Sequence, residues 1–231
     1  MSTDKRTAGA IDELQMWGQR VAARLSRHRK RFDIHSELER LDISLAKDDP
    51  RVARILDEIN GREARGYTYD GADASFELLA RWLLGEVPQY FSVDSCDVID
   101  VHYAAGGGPA LATEASMLVR VSGDRNVCRS TAEGAGPMEA IERALLKALG
   151  CYRQHLKDFE FVDYEVRLLA RPDAAVTRVR VESRSRTTGE HWFTVGVSPN
   201  IVDASFEALV DSINYKLMKS SAVVVAHAVA S

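Results

Sequence analysis

Two glycine-bearing turns carry the residue types best suited to hold a small ligand. Gly196-Val197-Ser198-Pro199-Asn200 leads into a long amphipathic stretch, and Gly134-Ala135-Gly136-Pro137 leads into a shorter one upstream. Glycine lets a ligand approach the backbone closely, and a helix start offers N–H groups without internal partners, which favours a carboxylate. The expected binding set is therefore Gly134, Ala135, Gly136, Pro137 and Met138 from one turn, with Gly196, Val197, Ser198, Asn200 and Ile201 from the other. Ala135, Met138, Val197 and Ile201 would supply an apolar wall, while Asn200, Glu133 or a turn carbonyl would accept from an ammonium group. The competing reading makes both turns tight strand-to-helix connections with ordinary helix caps.

Other chemistries find less support. The histidines at 28, 35, 102, 155, 191 and 227 are scattered, with no HxH or HExxH pair, so no metal site and no cofactor are expected. Cys96, Cys128 and Cys151 lack CxxC spacing and suit reduced thiols in a cytoplasmic setting. Nothing in the spacing joins Cys128 to His102 or His191 as a nucleophile and base, so no catalytic residue is expected. The AAGGGPA run at 104–110 lacks the lysine of a phosphate loop. A formal charge of -4 argues against a general nucleic-acid binder, although Arg24, Arg27, His28, Arg29, Lys30 and Arg31 are locally basic. No apolar run approaches the roughly 20 residues that span a bilayer, and no membrane partner is expected.

The elements that must position the two turns are legible from periodicity. Val202, Phe206, Leu209, Val210, Ile213 and Leu217 recur at helical spacing, opposite a wetted face of Asp203, Glu207, Asp211 and Lys216. The upstream stretch is a weaker copy: the turns align at an offset of 62 (196 minus 134), the helices at 64 (208 minus 144), which calls for a two-residue insertion between turn and helix. Alternating β-branched runs at 98–103, 115–121 and 126–132 precede the first helix, and runs at 162–168, 175–182 and 191–197 precede the second. The reading is strand-strand-strand-helix, twice. Before the repeat, 34–84 reads as three short helices, one capped by Asp49-Pro50 and ended near Gly61, another starting at Asp73 or Ala74 and ended by Gly85.

The expected fold is α+β, a helical N-terminal module followed by two pseudo-symmetric βββα units. Its expected parts are a basic amphipathic helical extension at 1–33, a helical linker at 34–86, a domain at 88–220 built of repeats at about 88–153 and 159–220, and a tail at 221–231.

With those residues laid out, the chain resembles the C-terminal half of the 2-isopropylmalate, citramalate and homocitrate synthase family, most closely its citramalate synthase-like branch. The segments that carry the resemblance are LDISLAKDDPRVARILDEI, RGYTYDGADASFELL, EGAGPMEAIERAL, DYEVRLL, AAVTRVRVE and WFTVGVSPNIVDASFEALVDSINYKL, in family order. The resemblance implies a regulatory and dimerisation domain that binds a branched-chain amino acid, leucine or isoleucine, and forms a homodimer. It also implies a helical link to a (β/α)8 barrel that condenses acetyl-CoA with a 2-oxo acid. The barrel's Asp-Gly-x-x-Arg-Asp segment and His-x-His pair are not in this sequence, so a barrel would be supplied by another chain and this chain alone is not expected to catalyse condensation. A dimerising adaptor on the same fold, without a ligand, is the alternative.

Overall fold

The computed structural model describes residues 33–46, 48–103, 110–123, 126–170 and 175–224, with the side chains of 101–103 and 110–111 left aside. The expected N-terminal helix with its basic cluster, most of the 104–110 glycine run and the tail beyond 224 lie outside the described residues. The chain divides into two compact units after Val52.

In the first unit, α1 (Ile34–Arg40) begins at Asp33, whose carboxylate accepts from His35 N–H and Ser36 Oγ. Asp49 then accepts from Arg51 N–H at 2.9 Å and starts α2 (Pro50–Arg65), with Pro50 at the first helical position, where its missing N–H costs nothing. Helix α2 runs past Gly61, contrary to the expected stop. Its end is Gly66, at φ 116°, whose N–H returns to the carbonyls of Arg62 and Glu63.

The second unit continues with α3 (Asp73–Leu84), closed by a left-handed Gly85. Then come β1 (Phe91–Tyr103), β2 (Ala110–Val121), β3 (Val127–Gly134) and α4 (Pro137–Ala148). After a short turn of 3-10 helix and α5 (Arg153–Leu156) the pattern repeats as β4 (Phe159–Leu169), β5 (Val176–Ser185), β6 (His191–Ser198) and α6 (Ile201–Lys219). Each repeat is an antiparallel three-stranded sheet in sequential order with a helix across it. The expected α+β architecture with two βββα units is the one observed.

The repeat is more regular than its sequence suggests, and the expected insertion does not exist. Ser130 Oγ donates to Ala144 O and Thr194 Oγ1 to Ala208 O, an offset of 64 at both ends. Met117 faces Ser130 and Val181 faces Thr194, again 64 apart, and the N-caps Gly136 and Asn200 also differ by 64. Gly134 thus corresponds to Ser198, and the similar Gly-x-Gly-Pro and Gly-x-Ser-Pro strings are out of register by two. Only the first hairpin differs. Its β1 is offset 68 from β4, and both strands carry a bulge at the matching place, Asp94 and Val162.

Both helices bury small residues against their sheets. Ala140 and Ala144 of α4 and Ala204 and Ala208 of α6 are fully covered, so helix and strand approach closely. Ile141, Leu145 and Leu149 meet Ala115, Met117 and Val119, while Leu209, Ile213 and Leu217 meet Val179 and Val181, all in one continuous core.

The supposedly wetted face of α6 is largely covered. Ser75 of α3 donates to Asp211 Oδ2 at 2.9 Å and accepts from Val195 N–H at 3.0 Å. Tyr67 OH donates to Glu207 Oε1 at 2.5 Å. Buried Glu77 accepts from Arg81, Lys219 and Tyr215. Polar spacing marked a face that packs on helices through hydrogen bonds rather than on water.

Candidate effector site

The two expected turns differ in what their backbone donors face. In the first, Ala135 N–H donates to Glu139 Oε2 at 2.7 Å, and Arg143 pairs with that carboxylate while donating to Glu133 O at 2.9 Å. A carboxylate of the chain itself therefore sits at this helix start, as in a capping box. Gly134 is there for packing: a Cβ would stand 2.5 Å from Ala140 N. Met138 is buried in the core, whereas the ideal Cβ of Gly136 would meet nothing within 4 Å.

In the second turn, Asn200 Oδ1 accepts from Val202 N–H at 2.8 Å, and Asn200 N–H donates to Ser198 Oγ. Val197 N–H donates to Glu207 Oε2 at 2.9 Å. Gly196 is another packing glycine, because its Cβ would lie 2.0 Å from Ala204 O. Ile201 is exposed.

A cavity of about 520 Å³ opens beside this second turn, lined by Val197, Ser198, Pro199, Glu207 and Val176 together with Arg62, Arg65 and Tyr67. None of residues 134–138 lines it. The sequence reading did not single out Arg62, Arg65, Tyr67 or Val176. Two arginines three apart in the last turn of a helix, followed by Gly-Tyr, were the available signal.

The cavity carries both signs of charge. Arg62 Nε donates to Glu58 Oε1 at 2.8 Å and holds that carboxyl below its ordinary value. Arg65 stands 3.7 Å from the same oxygen. Both guanidiniums lie over the Tyr67 ring, at 5.7 and 5.9 Å from its centroid. Burial, then its bond to Glu207, pushes the Tyr67 phenol up and keeps it a donor. The lining thus offers guanidinium hydrogens from Arg62 and Arg65 and the Glu207 carboxylate, and Val176, Val197 and Pro199 supply apolar contact. Four residues on, Asp211 is pushed up to about 7 by burial, against the bond from Ser75 and with a further push from Glu207. Among the described residues no cluster of three or more His, Cys, Asp or Glu is arranged to hold a metal ion. No described helix is long and apolar enough to cross a membrane.

Residues 70–217 match the LeuA allosteric (dimerisation) domain family, which covers both repeats and α3. The chain belongs to that family. The chain resembles an (R)-citramalate synthase of Geobacter sulfurreducens at 40% identity over 193 residues, and one of Streptomyces coelicolor at 39% over 193. A 2-isopropylmalate synthase of Methanocaldococcus jannaschii is 24% identical over 207 residues. These matches take in 84%, 82% and 89% of the chain but 36%, 35% and 37% of the relatives, so the chain spans about a third of their length. The LeuA domain is thus of the regulatory and dimerisation type found with citramalate synthases.

Proposed function

We propose that this chain is an amino-acid-sensing dimerisation module that modulates an acetyl-CoA-dependent citramalate synthase barrel lying outside this sequence. The effector is a branched-chain amino acid, leucine or isoleucine, held at the second turn. The observation that carries this reading is the cavity lined by Arg62, Arg65 and Glu207 together with the apolar Val176, Val197 and Pro199. A free amino acid has the matching pattern: a carboxylate for the arginines, an ammonium for Glu207, and a branched side chain for Val176, Val197 and Pro199. Burying that side chain contributes roughly 1.5 to 3 kcal/mol. Backbone donors are taken at both turns, by Glu139 at the first and by Glu207 and Ser198 at the second, so it is the arginines lining the cavity beside the second turn that favour it as the place for the carboxylate.

The cavity also suits regulation. Glu207 joins the Val197 N–H of the turn to Tyr67, just beyond the end of α2, so a ligand drawing on Glu207 alters the seam between the helices and α6. A coupling of about 1 to 3 kcal/mol is usual for such linkage.

Thermal unfolding against leucine, isoleucine and valine tests the proposal. Ligand at 100 times its dissociation constant stabilises the fold by roughly 2.7 kcal/mol. Stabilisation by one of them, lost in Arg62→Gln/Arg65→Gln, is the expected result. A folded dimer that responds to none makes the chain a ligand-free adaptor and refutes the sensor.

A further inference from the structure

The two edges of the second sheet are treated differently. At β6, Val195 N–H is taken by Ser75 and Val197 N–H by Glu207. At β4 no further strand follows among the described residues, and Tyr164 N–H turns to its neighbour Asp163. The same strand shows apolar residues on the wrong side for a finished surface. Tyr164, Val166 and Leu168 pair with Val181, Val179 and Thr177 and so share the face that α6 covers, yet they are 45%, 40% and 73% exposed. Helix α6 packs over β6 and β5 and hardly reaches β4.

The charges on this edge are self-complementary. An antiparallel pair of β4 strands centred on Val166 sets Glu165 of each copy opposite Arg167 of the other, and Tyr164 opposite Leu168. Within one chain Glu165 already holds Arg167 at 2.7 Å and Arg180 at 3.1 Å, so the charges lie along the strand face. The counterpart edge, β1, lacks this pattern. Val98 occupies the position of Val166 (166 minus 98 is 68), but Asp97 and Ile99 flank it and Asp100 replaces Leu168, which discourages self-pairing.

We propose that two copies of this chain join by antiparallel β4–β4 pairing about a two-fold axis at Val166. The result is a continuous six-stranded sheet in which Tyr164, Val166 and Leu168 of both copies cover one another. This rests on the dimerisation reading above and names its surface. A symmetric interface requires one patch to complement itself, and β4 does so in both charge and apolar pattern.

Sedimentation equilibrium of the full chain, with circular dichroism to verify folding, is the test. The native chain is expected to be a dimer. Arg167→Glu sets like charges opposite each other twice and weakens the dimer about tenfold or more. Glu165→Arg/Arg167→Glu restores the pairing and the affinity. Val166→Cys gives a 166–166 disulfide under oxidised glutathione, located by mass spectrometry of the linked peptide, because paired strands hold Cα atoms about 4.5 to 5.5 Å apart. A dimer unaffected by Arg167→Glu and without that cross-link overturns the β4 surface while leaving dimerisation intact. A native chain that stays monomeric overturns both.

Discussion

Gly196→Ala separates a glycine kept for packing from one kept for a ligand. An added Cβ would stand 2.0 Å from Ala204 O and 2.8 Å from Ala208 N, both backbone atoms that no rotamer change can move. Ordinary contact begins at 3.4 Å, so α6 must retreat by about 1.4 Å (3.4 minus 2.0) at its closest crossing of β6. That retreat stretches the 2.7 Å bond from Thr194 Oγ1 to Ala208 O, worth about 1 kcal/mol. Overpacking adds about 1 to 3 kcal/mol, for a total near 3 kcal/mol. Gly136→Ala is the control. Its Cβ meets nothing within 4 Å and its φ of -168° suits any residue, so the expected change is within about 0.5 kcal/mol. Urea unfolding reads the difference: with a slope of about 1 to 3 kcal/mol per molar, Gly196→Ala lowers the midpoint by about 1 M or more. A midpoint unchanged in Gly196→Ala would refute the packing argument and return that glycine to the ligand.

Three further outcomes follow from the polar seam and the cavity. Asp211 has a folded pKa of about 7, above its unfolded value, so its stabilising effect is complete below about pH 4 and is lost as pH rises toward 7. Asp211→Asn should therefore be the more stable protein at pH 8, by an amount on the order of 1 kcal/mol or more, with the advantage vanishing near pH 4 in urea melts. Ser75→Ala strands the buried Val195 N–H and should cost about 1 to 3 kcal/mol by the same measurement. Arg62→Gln/Arg65→Gln should weaken effector binding at least about tenfold by calorimetry, because charge-assisted bonds to a carboxylate are lost.

The helices and strands were legible because each has one apolar face and a local stop signal. Asp49-Pro50 opened α2 and Gly85 closed α3 as their chemistry requires. Gly61 misled, because glycine within a helix only weakens it, whereas Gly66 reaches the positive φ that ends one. β1 begins at Phe91, before the expected 98, since an edge strand carrying Ser92, Asp94 and Ser95 shows little alternation. The turn strings matched at an offset of 62 while strand and helix repeat at 64. A packing glycine is placed where helix meets sheet, and in the two repeats that crossing falls at different strand positions, Gly134 and Gly196.

The sequence by itself determined the βββα repeat, the helical segments before it and the membership that six family-like segments implied. Those properties reside in local periodicity and turn chemistry, which neighbouring residues settle among themselves. Only the tertiary structure decided what the polar faces meet. Glu207 and Asp211 looked solvated by spacing, yet their partners Tyr67 and Ser75 lie about 140 residues away in sequence. The cavity has the same origin, since Arg62 and Arg65 come to line one cavity with residues 197–199 only through the fold. Periodicity records which side of an element is polar. It carries no record of which distant element will satisfy that side, because the choice is made by packing across the fold.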